Sequence, residues 1–355
     1  MSLLESQESV CRWLAGFSHP LLIEGWSAQP GIVKCLKNSI VNIEFPFYSL
    51  SLAEEFTGWL EKQAIDNEPG ELNISYKVKA LETQIQSQLP KVKNIIAVTS
   101  GKGGVGKSTT AVNLALALKA HGAEVGLLDA DIYGPSVPIM LGMEDKTPDV
   151  RDGQFMIPIE SYGIHTNSIG YLVDKSEAAI WRGPMASKAL GQLLNETDWP
   201  ELDYLVIDMP PGTGDVQLTL SQQIPVTGAV IVTTPQDLAL ADVRKGLAMF
   251  EKVETPVLGI VENMSYHICS HCGEKEHIFG VNGAQKMASE FGTSILAQVP
   301  LHITMREDID SGKPTVVARP ESEHTAIYLS LAEQIVSKMY WSGKARPDAI
   351  PFTSL

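Results

Sequence analysis

Cysteine is scarce in this chain. Four thiols in 355 residues are too few for a disulfide framework, so a reducing, cytoplasmic setting is expected. Long apolar runs are absent too. None approaches the roughly 20 residues of a membrane-spanning helix. The opening Met1-Ser2-Leu3-Leu4-Glu5 has no basic region followed by an apolar stretch, so no secretory signal is expected. Basic charge is in deficit: 27 Lys and Arg stand against 42 Asp and Glu, a net charge of −15. That argues against a nucleic-acid surface as the main business of the molecule, although a local basic patch stays open. There is no internal repeat and no low-complexity tract. What remains is an ordinary globular composition, 44% hydrophobic and 19% charged, in a chain long enough for two domains.

The most informative stretch is Gly101-Lys102-Gly103-Gly104-Val105-Gly106-Lys107-Ser108-Thr109. Gly101 through Ser108 satisfies the phosphate-loop pattern G-x-x-x-x-G-K-[ST]. An apolar strand, Ile95 to Thr99, precedes it, and a helical pattern from Val112 to Leu118 follows. Glycines allow backbone conformations that a Cβ would forbid, so successive N–H groups can form a nest for phosphates. The helix N-terminus adds free donors and a positive dipole end. Lys107 is expected to reach the β- and γ-phosphates of ATP, and the Ser108 hydroxyl to ligate Mg²⁺.

Residues 1–79 read as a small α/β unit. Helices are expected over Ser9 to Gly16 and Ser51 to Ala64, with extended segments from Gly31, over Val41 to Phe47, and over Leu72 to Val78. Residues 80–93 read as a linker or a helix leading into one. From residue 94 the pattern changes to strand–helix repeats. Apolar runs at Val125 to Asp129, Tyr204 to Asp208, Ala229 to Thr233 and Val257 to Val261 are typical of parallel strands buried on both faces. Helices are expected over Leu238 to Lys252 and Glu323 to Tyr340. A doubly wound, mostly parallel α/β domain over residues 94–342 follows, with its ligand at the carboxyl ends of the strands, and residues 343–355 form a tail.

Asp129-Ala130-Asp131 closes one of those strands, and Asp131 is the candidate for positioning the attacking water. Asp208 ends another and has the place of the carboxylate that holds the metal through water. Pro210 to Asp215 follows at once, a glycine-containing segment suited to a switch loop. Asn263 lies after a further strand and could offer its amide to a base edge, or form a turn. His302 and Met305 could approach the base or simply pack, and Arg182 could contact phosphate, a partner or a surface carboxylate.

Cys269-Ser270-His271-Cys272-Gly273 is the second informative stretch. Two thiolates so spaced can chelate one metal or one cluster edge. His267, His271 or His277 could complete a zinc site within one chain, or the pair could be redox-active or inert. Spacing and softness leave zinc and a cluster evenly balanced. Four ligands also arise if two copies of the chain each supply Cys269 and Cys272 to a bridging [4Fe–4S] cluster.

The loop with its early lysine resembles the deviant phosphate loop of the MinD/ParA/nitrogenase-iron-protein class. Asp131-Ile132-Tyr133-Gly134-Pro135-Ser136, Asp208 to Asp215, and Glu262-Asn263-Met264-Ser265 ahead of Cys269 and Cys272 together resemble the Mrp/ApbC family, over about residues 94–336. That resemblance implies an ATPase that carries and transfers iron–sulfur clusters as a homodimer. Lys102 then reaches the partner's nucleotide and Asn263 contacts adenine. It further implies cluster donors and apo recipient proteins as partners, with neither nucleic acid nor membrane. The order of elements in residues 1–79 is similar to the small domain of the MIP18 family, without a counterpart of the cysteine that family often carries. Two alternatives stand beside the carrier: a MinD/ParA-type positioning ATPase with structural zinc at the cysteines, and a nitrogenase-like reductase.

Overall fold

The computed structural model describes residues 6–35, 40–63, 72–172, 183–212, 214–269, 271–281 and 283–346. They fall into two compact units. One comprises Met1–Leu81 together with Val336–Leu355, the other Glu82–Ile335.

The first unit opens on α1 (Gln7–Leu14). Ser6 and Ser9 exchange side-chain and backbone hydrogen bonds as a capping box, which fixes where the helix begins. Val10 and Leu14, one turn apart, are its buried face. β1 (Val33–Cys35), β2 (Val41–Phe45) and β3 (Leu72–Tyr76) form a three-stranded sheet. The β1–β2 pair is antiparallel and the β2–β3 pair parallel. In β2, Val41, Ile43 and Phe45 point into the core by strict alternation. α2 (Leu50–Gln63) contributes Leu52 and Phe56. The core is aromatic: Phe56 meets Phe17 at 5.0 Å and Phe45 at 5.3 Å between ring centroids, both edge-on.

The second unit carries a nine-stranded sheet. Its strands are β4 (Val92–Thr99), β5 (Val125–Asp129), β8 (Ile159–Ser161), β9 (Ile164–Ser168), β10 (Leu202–Asp208), β11 (Gly228–Thr233), β12 (Val257–Ile268), β13 (Lys275–Glu276) and β14 (Ile295–Leu301). A separate two-stranded ribbon is formed by β6 (Val150–Arg151) and β7 (Phe155–Met156). The order across the sheet is β13-β12-β11-β4-β10-β5-β9-β8, with β14 also on β12. The pairs among β14, β12, β11, β4, β10, β5 and β9 are all parallel, and β8 and β13 are antiparallel edges. The helices are α3 (Lys107–Ala120), α4 (Val137–Met140), α5 (Gly183–Asn195), α6 (Asp215–Gln223), α7 (Asp237–Lys252), α8 (Gly283–Glu290), α9 (Ile303–Asp310), α10 (Thr315–Ala318) and α11 (Glu323–Ser342). α3 is buried from Thr110 to Leu118, the mark of a helix enclosed on all sides. β4 lies between β10 and β11, so the chain leaves it in both directions. The carboxyl ends of β4, β5, β10 and β11 therefore converge on one crevice.

The expected doubly wound α/β domain is present, but its limits differ from residues 94–342. Glu82 already belongs to the second unit, and no helix occupies residues 80–93. The chain from Val336 belongs with the first unit, where Ser337 Oγ and Trp341 Nε1 both donate to the carbonyl of Leu21. The expected tail is also tied down at its start: Ala345 bridges Leu81, and the Arg346 N–H donates to Ala80 O. The remainder of that tail, together with Arg182 and Thr213, lies outside the described residues.

Candidate functional site: a phosphate loop and a two-cysteine hairpin

The turn from β4 into α3 is the loop expected from the sequence. Gly104 and Gly106 take left-handed backbone angles, φ +80° and +84°, which a glycine adopts without strain. Ser100, Lys102, Gly103, Gly104, Gly106, Lys107, Ser108, Thr109, Asp131, Met140 and Pro211 line one cavity. Gly101 lies between the lining residues Ser100 and Lys102, and Val105 is buried behind the loop.

Lys107 is the electrostatic centre of the cavity. Its Nζ lies 2.5 Å from Asp208 Oδ1, 3.6 Å from Asp131 Oδ2 and 3.3 Å from Ser108 Oγ. Asp208 is wholly buried, and burial pushes its carboxyl up against the pull of the Lys107 ammonium. Asp129, equally buried, is pushed up to about 7 by burial and by the charge of Asp208. Asp208 Oδ2 and Asp131 Oδ1 have no hydrogen-bond partner among the described residues. Buried acceptors left open in this way, beside a serine hydroxyl and an ammonium, fit a hydrated divalent cation and a phosphate chain. The site thus holds a donor set for anionic phosphates and an acceptor set for their metal. Lys102 Nζ approaches Gln236 Oε1 at 3.4 Å, just ahead of α7.

Asn263, expected at a base edge, lies against the phosphate loop. Its Nδ2 donates to Val105 O at 2.8 Å, and a Cβ on Gly106 would come within 2.0 Å of that nitrogen. The amide braces the phosphate loop from behind. His302 caps α9 and its ring lies 4.9 Å from His324, while Met305 is buried. Pro211 lies in the segment read as a switch loop, while sequence reasoning missed Met140, Gln217 and Gln236. Gln217 Nε2 donates to Thr99 Oγ1, and the Gly212 N–H donates to Ser100 O, so the segment after Asp208 is moored to the end of β4. Gln236 sits just past the carboxyl end of β11, a position that could have flagged it. Met140, in an ordinary apolar turn, carries no such signal.

Cys269 and Cys272 lie on a hairpin at the far end of β12. The Cys269 N–H donates to Glu274 O and the Gly273 N–H to Cys269 O, and β13 returns alongside His267 and Ile268. The N–H groups of Cys272 and then His271 lower the Cys269 thiol below its ordinary value, helped by the Cys272 side chain. The single-chain zinc site is not assembled. Among the described residues no three His, Cys, Asp or Glu side chains gather into a metal site. His267 Nδ1 instead meets Leu301 O at 3.2 Å, and His277 Nδ1 meets Ser265 O at 3.1 Å.

Comparison with known proteins gives this geometry its relatives. A protein named iron-sulfur cluster carrier protein, from Escherichia coli (strain K12), is 55% identical over 349 residues, covering 96% of this chain and 95% of that protein. One of the same name from Salmonella typhimurium is 64% identical over 283 residues, 79% of this chain and 77% of its own. Among solved structures, a nucleotide-binding protein from Archaeoglobus fulgidus in complex with ADP matches at a TM-score of 0.59 and 38% identity. It covers 68% of this chain and 94% of its own. The model of the family described as "ParA: NUBPL iron-transfer P-loop NTPase" matches residues 91–336. These residues take in both the phosphate loop and the cysteine hairpin, and the chain belongs to that family of P-loop NTPases.

Proposed function

We propose that this protein is an ATPase that carries an iron–sulfur cluster and hands it to apo proteins, with nucleotide turnover governing the hand-over. The observation that carries the reading is that one strand serves both sites: β12 bears Asn263, which holds the phosphate loop, and runs on into the hairpin of Cys269 and Cys272. The names of the relatives from Escherichia coli and Salmonella typhimurium weigh toward the carrier over the positioning ATPase and over structural zinc.

At the nucleotide end, the loop N–H groups and Lys107 bind the phosphates, and Ser108 and Asp208 are the residues that would hold Mg²⁺. Bound there, the ion would offset charge on the phosphate oxygens. Asp131 orients the attacking water. Lys102 reaches a second copy's nucleotide, and Asn263 borders the adenine. At the other end, two thiolates per chain are half of a four-thiolate set. Two copies together would offer four, and in keeping with the family resemblance the proposed cargo is a [4Fe–4S] cluster shared by two copies, received from a scaffold donor in the cytoplasm. The small first unit, similar in element order to the MIP18 domain, is a separate domain. Neither nucleic acid nor membrane is a partner.

Coupling needs a physical route. Glu262 accepts from Ser265 Oγ at 2.6 Å, from Gln298 Nε2 at 2.8 Å and from the Ala284 N–H at 3.1 Å. His277, beyond the hairpin, meets the carbonyl of that same Ser265. A shift of the loop at Val105 is thereby passed along β12 toward Cys269. Linkage requires the reverse effect as well, so cluster binding alters nucleotide affinity.

Asp131→Asn tests this, because it leaves Lys107 paired with Asp208. The variant is expected to bind cluster normally, to lose hydrolysis, and to transfer cluster to an apo acceptor at a rate that no longer responds to ATP. Normal ATP-stimulated transfer by a variant that cannot hydrolyse would disprove the coupling.

A further inference from the structure

We propose that Asp129 is a positioning residue for hydrolysis, fixing the place of Asp131 and of the cavity wall behind it through hydrogen bonds to the backbone. The proposal rests on the hydrolytic role given to Asp131 above.

The Asp129 side chain is fully buried. Its Oδ1 accepts the Asp131 N–H at 3.1 Å. Its Oδ2 accepts three donors: the N–H groups of Ser136 at 3.1 Å and Val137 at 3.2 Å, and the Ser168 hydroxyl at 3.0 Å. One carboxylate therefore pins both ends of the segment from Asp131 to Val137, and ties it to the end of β9 as well. Between the pins Ile132 is buried, while Tyr133, 59% exposed, and Gly134 face solvent. The side chain of Asp131 has little hold of its own. Among the described residues its Oδ1 has no hydrogen-bond partner, and its Oδ2 has the long ion pair to Lys107 at 3.6 Å. Its position is accordingly set through its backbone, which Asp129 holds directly at the Asp131 N–H, beside the buried Ile132 and its bond to Ala130 O. Met140, which lines the cavity, belongs to the short helix whose first residue is Val137.

Every group hydrogen-bonded to Asp129 is a donor, and both of its oxygens are used. A carboxylate meets that demand and a carboxamide does not. An amide nitrogen at either position would face an N–H and lose the bond there. Asp129 is not among the residues that line the cavity. Its loss should therefore leave nucleotide binding nearly intact and misplace the group that acts in the chemical step. A displacement of about 1 Å at such a group costs on the order of 10²-fold in rate.

The test compares Asp129→Asn, Ser168→Ala, their combination and Asp131→Asn. The full-length protein is used, with Kd for a fluorescent ATP analogue and single-turnover hydrolysis at saturating ATP. Asp129→Asn should hydrolyse on the order of 10²-fold more slowly, with Kd within about threefold of wild type. Ser168→Ala should show a smaller loss of the same kind, and the double variant should be no slower than Asp129→Asn alone, since both act through one carboxylate. Three results overturn the proposal: hydrolysis by Asp129→Asn within about twofold of wild type, a loss of affinity matching the loss of rate, or losses that multiply in the double variant. If Asp129→Asn does not fold, Ser168→Ala decides: slower hydrolysis at unchanged Kd supports the proposal, and unchanged hydrolysis overturns it. Full hydrolysis by Asp131→Asn would remove the underlying reading of the site. An inactive Asp131→Asn beside a fully active Asp129→Asn would remove only the positioning role.

Discussion

Lys107 has two employments, and they compete. In this structure its ammonium neutralises Asp208, whose carboxylate is wholly buried; with ATP bound, the same charge is wanted by the phosphates. Lys107→Ala is therefore expected to do more than abolish ATP hydrolysis. It strands a buried carboxylate, which costs roughly 3–5 kcal/mol, and urea denaturation should show a loss of that order. A loss below about 1 kcal/mol would mean that Asp208, its carboxyl already pushed up by burial, takes up a proton instead of remaining charged. The cysteines can be ranked in the same way. The lowered Cys269 thiol holds more thiolate at a given pH, while burial raises Cys11 and Cys35. In metal-free protein near pH 7, iodoacetamide should therefore modify Cys269 ahead of Cys35, as read by peptide mass spectrometry. Faster labelling of Cys35 would contradict the nest of N–H groups at the hairpin. These site residues were legible in the sequence because each sits in a pattern with a physical purpose. The partner of Asn263 was not, because Val105 is remote in sequence and the contact exists only once β12 lies beside the loop.

Elements were legible to the extent that burial was apolar. β5, β10 and β11 announce themselves as continuous apolar runs. β9 does not. It reads Ile-His-Thr-Asn-Ser, yet Thr166, Asn167 and Ser168 are fully buried, because each finds a partner: Ile159 O, Thr197 Oγ1 and Asp129 Oδ2. Polar burial of this kind depends on tertiary partners that no local pattern reveals. β12 runs well past the apolar stretch that marks its start, with Met264 at φ +54° near its register shift against β14. The contact between β12 and the phosphate loop leads to a prediction about Gly106→Ala. The added Cβ would meet Asn263 Nδ2 at 2.0 Å, on a backbone already at φ +84°. That variant should lose measurable ATP binding, and Asn263→Ala in the same chain should restore only part of it, since the backbone strain remains. Full restoration in the double variant, by calorimetric titration with ATP, would show that the clash alone was responsible.

For the whole molecule, the chain falls into two compact units, one of which takes segments from both ends of the sequence. The change of pattern read in the sequence falls at residue 94, after a linker from 80, whereas the units divide after Leu81, and the return of the chain from Val336 to the first unit has no local signal. The helix that carries it, α11, continues one apolar stripe across the boundary. The number of thiols matters at this scale too. Each chain brings one hairpin with two cysteines, and no third described ligand joins them. On the proposed reading a four-thiolate cargo site takes two chains, and the same pair holds nucleotide and cargo. The measurement that tests this most directly is anaerobic reconstitution with iron and sulfide, followed by absorption and Mössbauer spectra and metal analysis, on wild type and Cys269→Ala. The account predicts a [4Fe–4S] spectrum at about one cluster per two chains, absent from the variant and transferable to an apo acceptor. A protein that takes up no cluster and instead holds one tightly bound zinc ion per chain would contradict it.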